Sequence, residues 1–575
     1  MSTRRAESYK LDRSAGPAST PELYAALILE QGPRVLSLMD RESFSPTAGC
    51  CDRTYWGWKF VDFPGARFQE ALCVMSFLYA TELKQNPYYH KGRLLDWIGS
   101  GLRFWSAIQH SDGSFDEAYP FERSLAATAF TTFYVGEALE FLGSDLAPDL
   151  RASARETMRR AGRWLTINDE THGFLSNHLA AAAAALYHVY RVTGDDAFER
   201  RSRYFLDKIL ARQSSEGWYE EYGGADPGYQ THGSFYLARY WQLSGDESLA
   251  ESLGRSMNFL AHFLHPDGSL GGEYASRNTQ TYYPAAFEMM AGRHPAAAWI
   301  AETMRESLLT GAAAGMRCID AYNYFPCLNN LVFAYRACAE RDGHAAVRAE
   351  EPSSQPGLAW FPEAGMLRIR RDRYDAHVGT AKGGVIKVFD RTTRKLVYSD
   401  CGYIGRLRDG ALLSSQYMDH RRTVAVEPER VEIEGSFFEV SRPTMSPYRF
   451  VAFRLFTLSL ARVAGLGRWL KARLVKTLIY RKRELNIRMK RTIRFEERGV
   501  SICDQLSGPD GDRVESIQWG ELFTTIHMGS SRYFINNELA EAIAPQQEMP
   551  EHIDPKELRS GIKLRRAVRF DQERA

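Results

Sequence analysis

Cysteine is scarce in this sequence of 575 residues, and long apolar runs are missing. The eight cysteines are irregularly spaced, and no Cys-x-x-Cys pair occurs among them. This spacing excludes a zinc ribbon or a disulfide framework and favours reduced thiols in a cytosolic protein. No stretch of about 18 apolar residues is present, so no membrane-spanning helix is expected. The polar, basic N-terminus predicts no secretory signal peptide.

Signatures of common metal and cofactor sites are missing as well. Neither the H-E-x-x-H zinc motif nor the G-x-x-x-x-G-K-S/T phosphate loop occurs. We therefore expect no metal and no other cofactor. An excess of charge of one sign is also absent, because 73 Lys and Arg nearly balance 71 Asp and Glu, for a net charge of +2. Global charge gives no argument for a nucleic-acid partner.

What the sequence does contain is a long series of helical segments. After a tail over residues 1–20, apolar residues recur at helical spacing through residues 21–345. The clearest segments span 67–83, 93–109, 124–142, 151–165, 177–192, 198–212, 231–243, 248–263 and 294–309. Six consecutive alanines from Ala180 to Ala185 favour a helix that neighbouring helices can approach closely.

A weak repeat runs through this helical part. Short turns centred on Gly113, Gly173, Gly217 and Gly268 are 60, 44 and 51 residues apart. A period near 50 residues fits one helical hairpin per repeat, with the turns on one common face. We predict that the hairpins curl into an (α/α) toroid whose turns line a cleft. An open solenoid of the same hairpins is the alternative.

The remainder of the chain has a different period. Residues 346–357 are rich in Glu, Pro, Ser and Gly, which predicts a linker. Within residues 358–575 the apolar period changes to two, as in 366–370, 385–389, 395–398, 431–434 and 492–495. Short strands with Gly and Asp turns predict an antiparallel β-sandwich. The expected fold class is therefore α+β multidomain, with an N-terminal (α/α) toroid followed by a C-terminal antiparallel β-sandwich.

A strongly basic segment interrupts the β-region. Residues 449–494 contain 14 Lys or Arg and one acid, Glu484. Within an insertion expected at about 444–484, an apolar helical stripe that includes Trp469 is formed by Val463, Leu466, Leu470, Leu474 and Leu478. This pattern predicts that residues 449–483 lie on an anionic membrane surface. A solvated helix that caps the β-domain and a site for a polyanionic glycan are the alternatives.

Three Gly-rich turns, over residues 112–122, 216–232 and 267–279, are dense in tyrosine and carboxylate. Together at one end of a toroid, they indicate a polar site. Ser176, Asn177 and His178 precede the alanine-rich helix. Ser176 or Asn177 could cap that helix. The same position beside free backbone N–H groups could instead bind a carboxylate.

Asn177-His178 at a helix start, followed about fifty residues later by the run from Glu216 to Tyr229, resembles heparinase II/III-type polysaccharide lyases. The resemblance implies the same order of toroid and β-sandwich. It also implies that Asn177 and His178 bind and neutralise a uronate carboxylate, and that Tyr229 acts as base or acid. Without a signal peptide, the chain is similar to intracellular members expected beside exopolysaccharide or O-antigen assembly enzymes.

The motif and the Gly-rich turns also give candidate substrate contacts. Members of the family usually add a histidine from the β-domain, within a His-x-Asp-like stretch. Here His377 lacks the following acid, and we expect Lys382 to occupy that place. The candidate substrate-binding residues are Trp218, Glu221, Tyr222, His232, Glu273, Arg277, Asn278 and Lys382.

The chemistry of such a site can be argued from the reaction. Removing the C5 proton of a uronic acid adds negative charge to its carboxylate, which donors such as Asn177 and His178 would stabilise. A phenol beside C5 and O4 can take a proton and return it. Because the reference pKa of a phenol is about 10, a nearby cation must favour the phenolate. His232 and Arg277 are the candidates for that cation.

The function predicted is β-elimination on a uronate-containing glycan, either an acidic polysaccharide or a lipid-linked oligosaccharide, by a cytoplasmic protein that can sit peripherally on the inner membrane. Uronate C5-epimerisation begins with the same proton abstraction and is one alternative. A non-catalytic glycan-binding protein is another. A glycoside hydrolase is a third, because the turns contain many carboxylates. Hydrolysis needs two of them about 5–10 Å apart. Its candidate carboxylates are Asp116, Glu117, Glu122, Glu220, Glu221, Asp226 and Glu273.

Overall fold

The computed structural model has a helical region followed by a β-rich region. Among its described helices, none combines the length and the apolar character that crossing a bilayer requires. The described residues are 20–171, 173–221, 223–341, 347–351, 355–440, 445–467, 469–470, 473, 483–525, 529, 531–539, 546–548 and 553–570.

The helical region consists of antiparallel hairpins. Its helices are α1 (Thr20–Leu38), α2 (Ala71–Ala80), α3 (Gly92–Ala107), α4 (Leu125–Leu142), α5 (Pro148–Ile167), α6 (Ser176–Thr193), α7 (Asp196–Leu210), α8 (Pro227–Ser244), α9 (Glu247–Ala261), α10 (Ala285–Met290), α11 (Pro295–Thr310) and α12 (Ala321–Arg341). Outer helices such as α5 and α7 bury one face, as amphipathic helices do. Inner helices such as α4 and α10 are buried on nearly all sides.

The inner helices form a closed ring. Helices α2, α4, α6, α8, α10 and α12 contact one another in that order, and α12 packs against α2. The alanines Ala180–Ala185 of α6 are fully buried, because small side chains let α4 and α8 approach α6 from both sides. The architecture is therefore the predicted (α/α) toroid and not an open solenoid.

The glycines of the sequence repeat hold the turns against neighbouring outer helices. A Cβ atom at Gly113 would lie 2.3 Å from the carbonyl oxygen of Arg160 in α5. A Cβ atom at Gly217 would lie 2.4 Å from the carbonyl oxygen of Arg255 in α9. Both glycines also have positive φ angles, 98° and 100°. A side chain is thus excluded at both positions by close approach and by backbone conformation.

A glutamine supports each of these two turns in the same way. Gln109 Nε2 donates to the carbonyl oxygens of Gly113 and Thr157, at 3.0 and 2.9 Å. Gln213 Nε2 donates to those of Gly217 and Ser252, at 3.0 and 2.9 Å. The repeated bonds place the two turns equivalently, between the end of an outer helix and the start of the next inner helix.

The β-rich region is a sandwich of two antiparallel sheets. One sheet has the order β1-β2-β3-β4-β5, and the other has the order β12-β6-β7-β9-β10-β11-β14-β13, with β8 paired to β9. Apolar side chains from the strands form the buried clusters of the region. The strands are β1 (Gly357–Phe361), β2 (Met366–Arg370), β3 (Tyr374–Gly379), β4 (Val385–Asp390), β5 (Lys395–Asp400), β6 (Tyr403–Leu407), β7 (Leu412–Ser414), β8 (Thr423–Glu427), β9 (Arg430–Val440), β10 (Arg483–Glu496), β11 (Gly499–Ser507), β12 (Val514–Trp519), β13 (Gln546–Glu548) and β14 (Ile562–Arg569).

The basic segment divides into two structures. Residues 483–494 belong to strand β10, where Arg488 and Lys490 lie 3.6 and 3.7 Å from Glu434 and Glu432 of strand β9. Their charges therefore belong to the sheet and not to the helix. Helix α13 (Pro447–Leu458) precedes a short 3-10 turn over Leu460–Arg462. Of the predicted apolar stripe, Leu474 and Leu478 lie outside the described residues.

The sandwich contacts the toroid through its first strands and turns. The carboxylate of Glu216, in the Gly217 turn, accepts the backbone N–H groups of Glu363 and Ala364 at 2.8 and 2.9 Å. Lys387 of β4 forms a 2.6 Å ion pair with Glu273, in the loop before α10. The β-domain therefore covers the toroid end at which the inner helices begin.

Candidate active site

The inner helices begin at one end of the ring, and the predicted catalytic residues lie in their first turns. Asn177 and His178 are the second and third residues of α6. Tyr229 is the third residue of α8, which packs beside α6. Because free backbone N–H groups and the positive ends of helix dipoles meet there, this end of the toroid favours an anionic ligand.

Asn177 is held by a buried carboxylate. The Glu221 side chain accepts the backbone N–H of Asn177 at 2.8 Å and its Nδ2–H at 2.9 Å. Asn177 therefore does not cap its own helix, because Glu221 supplies the acceptor from the neighbouring repeat. Burial raises the pKa of Glu221 to about 8, and the nearby Asp226 adds to the effect. The carboxyl group of Glu221 is thus largely protonated at neutral pH.

His178 points toward the ring interior. Its Nδ1 lies 2.7 Å from Oε2 of Glu170, which orients the imidazole. Phe130 of α4 contacts it edge-on, with ring centroids 5.7 Å apart. The same Phe130 ring stacks on His232, at 5.8 Å, and receives the guanidinium of Arg67, at 4.6 Å. Phe130 thereby brings His178, His232 and Arg67 into one cluster.

Arg67 is a charged residue of this cluster that the sequence analysis did not identify. It precedes α2 and forms ion pairs with Glu70 and Glu117, at 2.8 and 3.1 Å. No sequence motif marks Arg67. Its place in the cluster results from the packing of the segment before α2 against α4.

His232 does not supply the cation expected near Tyr229. Burial, with Arg67 and His178 nearby, holds the pKa of His232 well below the usual range. Its ring stacks on Tyr283, with centroids 4.2 Å apart, and its Nε2 lies 3.2 Å from the Tyr236 hydroxyl. His232 is therefore a neutral side chain of the site wall.

Tyr229 is fixed through the start of its helix. The Asp226 carboxylate caps α8 by accepting the Tyr229 backbone N–H at 3.0 Å. The other oxygen of Asp226 accepts the backbone N–H of Arg277 at 2.7 Å. One buried carboxylate thus ties Tyr229 to the loop that contains Arg277 and Asn278. The Tyr229 side chain is half-buried.

Arg277, Asn278 and Lys382 are buried together where the toroid loop meets the β-domain turn. Lys382 Nζ and both polar side-chain atoms of Asn278 have no hydrogen-bond partner among the residues that the structure describes. Burial and the charge of Arg277 lower the pKa of Lys382 to about 8. The backbone of Asn278 is left-handed, with φ 60°. Buried polar groups without partners are rare in stable folds and point to a ligand.

The other candidates are engaged elsewhere. The Trp218 indole donates to Glu216 at 3.0 Å, at the contact between the two domains. Glu273 is fully buried in its ion pair with Lys387. Tyr222 lies outside the described residues.

His377, whose place Lys382 was expected to take, lies in the contact between the β-domain and the toroid. It is buried between Tyr274 and Phe389, with ring centroids 5.7 and 5.8 Å away. Burial and the charge of Arg368 lower its pKa to about 3. The ring is therefore neutral and packed inside the β-domain contact.

Among the described residues, the site coincides neither with a metal cluster nor with the cavity beside α12. Within the described ranges, no group of three or more His, Cys, Asp or Glu is arranged to hold a metal ion. A cavity of about 270 Å³ lies between α1, α12 and the loop after α11, and none of the predicted site residues lines it.

Comparison with known proteins agrees with this architecture. Residues 66–318 match the family model of the ulvan lyase N-terminal domain. The helical region is thus similar to the N-terminal domain of ulvan lyases. The match spans α2 to α11 and contains Asn177, His178 and Tyr229. No curated protein matches this chain by sequence.

Solved structures of two polysaccharide lyases, among others, share the fold of this chain. The chondroitin AC lyase of Streptomyces coelicolor A3, in complex with chondroitin sulphate, is 14% identical with a TM-score of 0.53. That likeness covers 88% of this chain and 69% of the other. A Paenibacillus xanthan lyase is 11% identical with a TM-score of 0.52, covering 88% of this chain and 46% of the other. Both likenesses support a toroid followed by a β-sandwich.

Proposed function

We propose that this protein cleaves a uronate-containing glycan by β-elimination at the toroid end described above. Asn177 and His178 bind the uronate carboxylate, and Tyr229 exchanges protons with the sugar. The observation that supports this most directly is the placement of these three residues in the first turns of the adjacent inner helices α6 and α8. They lie within the segment that matches a lyase family model.

The reaction follows from the positions of these groups. The Tyr229 phenolate removes the proton from C5, and the electron pair delocalises into the carboxylate bound by Asn177 and His178. The C4–O4 bond then breaks, the pair forms the C4=C5 double bond, and O4 leaves with the proton from Tyr229. Arg277 is the cation that favours the phenolate, since His232 is neutral.

The neighbouring carboxylates give less support to a glycoside hydrolase. Asp116 accepts the backbone N–H groups of Phe121 and Arg123, at 2.7 and 2.9 Å. Glu117 pairs with Arg67, and Glu273 pairs with Lys387. Hydrolysis needs one carboxyl group on each side of the scissile bond. These three acids are instead used to hold the loops.

The substrate class proposed is an acidic polysaccharide or a lipid-linked oligosaccharide. A fold relative was solved with chondroitin sulphate, and the helix N-termini of this site favour anions. Lys382, Asn278 and Arg277 are proposed to contact the sugar beside the cleaved uronate. The protein is proposed to work in the cytoplasm, peripherally on the inner membrane, where a lipid-linked saccharide would be presented.

Turnover of a glycan panel tests the proposed reaction. Purified protein is incubated with ulvan, chondroitin sulphate, heparan sulphate and xanthan, and the ultraviolet absorbance of unsaturated uronates is followed. We expect absorbance to rise with at least one uronate glycan and the His178→Ala variant to lose about 10²-fold or more of that rate.

Two further results would point elsewhere. Incorporation of solvent deuterium at C5 without any rise in absorbance would replace elimination by epimerisation. New reducing ends without unsaturation would replace it by hydrolysis.

A further inference from the structure

Helix α13 is oriented with its apolar side toward solvent. Tyr448, Val451, Leu455 and Leu458 follow helical spacing and lie along one side of the helix. Tyr448 is 88% exposed and Leu455 is 66% exposed. A helix that packs on a globular protein normally presents this stripe to the core. The outward direction of the stripe therefore needs an explanation.

The opposite side of α13 is fixed to the toroid by mixed contacts. Arg454 forms a 3.1 Å ion pair with Asp62, and Thr457 is fully buried. The Phe453 ring contacts Tyr119, with centroids 5.1 Å apart. The helix is thus firmly packed on the toroid, and its apolar side faces solvent in this packed position.

The exposed apolar surface continues beyond the helix. Arg123 donates to the carbonyl oxygens of Ala461 and Arg462, at 2.9 and 2.8 Å, which holds the next turn against the loop before α4. Leu460 and Val463 nevertheless remain more than half exposed, at 52% and 61%.

On the toroid side, the surface continues in the loop that contains Asp62. Trp58 and Phe60 of this loop are 68% and 93% exposed. This loop leads into α2, and the loop that contains Arg123 leads into α4. Both loops therefore lie at the end of the ring where the inner helices begin, which is the active-site end.

The charge of the segment identifies the partner. Residues 449–482 contain nine Lys or Arg and no Asp or Glu. Basic side chains flanking aliphatic and aromatic ones are the composition of a helix at an anionic bilayer surface. An acidic glycan would account for the arginines but not for Val451, Leu455 and Leu458, which offer it no hydrogen bond.

We propose that α13 and the Trp58–Phe60 loop form a docking surface for an anionic lipid bilayer. Because this surface borders the active-site end, docking presents the site to glycan held at the membrane. The surface assignment does not depend on the proposed elimination reaction, since membrane binding can be measured without substrate. It extends the predicted stripe, of which Val463 and Leu466 are exposed, back to Tyr448 and onto the toroid loop.

Vesicle flotation tests the docking surface. The full chain is mixed with vesicles of phosphatidylcholine alone or of equal parts phosphatidylcholine and phosphatidylglycerol. We expect the protein to float with the anionic vesicles and to be released by salt. The double variant Val451→Ser, Leu455→Ser should bind about tenfold more weakly or worse, because apolar side chains no longer insert. Ile167→Ser, at an 81% exposed position at the end of α5, is the matched control and should bind as the wild type does.

Three results would overturn the proposal. One is absence of flotation with anionic vesicles at low salt. The second is equal loss in the Ile167→Ser control, with thermal unfolding showing both variants folded. The third is a monomer–dimer equilibrium, in light scattering without lipid, that Val451→Ser, Leu455→Ser abolishes, because a second copy would then cover the surface.

Discussion

Two groups of buried charges in this molecule are built in opposite ways. In the β-domain, Arg491 binds both carboxylate oxygens of Asp504, each at 2.8 Å, and lies 3.1 Å from Asp400. Arg566 binds the same two acids at 2.6 and 2.8 Å. Two cations thus meet two anions, and their attraction holds the pKa of Asp504 well below its usual range.

At the toroid end, several buried polar groups are not matched in this way. Within the described residues, Lys382 and Asn278 leave polar side-chain atoms without a hydrogen-bond partner. Glu221 has a pKa raised to about 8, the opposite direction from that of Asp504. The contrast separates charges that hold the fold from polar groups that the fold leaves for a ligand.

Removing one partner from the matched group should have the largest effect on stability. Asp504→Ala leaves Arg491 and Arg566 buried with one acid between them. We expect a loss of about 3–5 kcal/mol in the free energy of unfolding, measured by urea denaturation. Glu156→Ala, which breaks an exposed ion pair with Arg159, should cost at most about 1 kcal/mol. Equal losses would remove the distinction between the two kinds of pair.

Glu221 should make stability depend on pH. Its folded pKa of about 8 lies above the unfolded value of about 4.3, so the folded state holds the proton more tightly. This contribution is fully present below about pH 4 and is lost as pH rises to about 8. We expect the wild type to lose about 5 kcal/mol across that window relative to Glu221→Gln. If urea denaturation gives the same dependence of unfolding free energy on pH for both proteins, the pKa of Glu221 is not raised in the folded state.

Lys382 should behave as a charge that is buried for a ligand. Its folded pKa of about 8 lies below the unfolded value of about 10.4, so the wild type should gain stability between those pH values. We expect Lys382→Met to be more stable than the wild type by roughly 1–3 kcal/mol at neutral pH, and to bind glycan more weakly. Thermal unfolding measures the difference in stability, and calorimetric titration measures the affinity for glycan. A destabilised Lys382→Met protein would show that Lys382 stabilises the fold, as the paired Arg491 and Arg566 do.

The toroid and the sandwich were largely predictable because their signals are local. Strand β2 coincides with the predicted segment 366–370, and α6 extends the predicted segment 177–192 by one residue at each end. Helix α10 gave no periodic signal, since all six of its residues are buried. Helix α12 contains Pro326, which disguises a continuous helix in the sequence.

The site was less predictable because its contacts join distant repeats. The motif identified Asn177, His178 and Tyr229. Glu221 was predicted as a substrate contact, whereas its carboxyl group holds Asn177. Arg67 was missed because no motif marks it, and only the packing of the segment before α2 against α4 brings it to Phe130. His232 was expected to be a cation, and its burial, which the sequence does not reveal, makes it neutral.

The basic run shows how charge counts can mislead. Its 14 cations looked like one feature in the sequence. Residues Arg488 and Lys490 instead alternate along an outer face of β10 opposite the acids of β9, whereas α13 forms a separate element. The apolar side that α13 exposes lies before the predicted stripe, because α13 ends at Leu458 and that stripe begins at Val463.

The initial rate of uronate elimination by Tyr229→Phe tests the central claim most directly. The variant removes one hydroxyl group from the first turn of α8, and Tyr204→Phe on the outer helix α7 is its matched control. We predict that Tyr229→Phe loses about 10²–10⁴-fold in rate on whichever uronate glycan the wild type cleaves, with an unchanged unfolding midpoint. Tyr204→Phe should keep the wild-type rate. A folded Tyr229→Phe protein that eliminates at the wild-type rate would contradict the proposed mechanism.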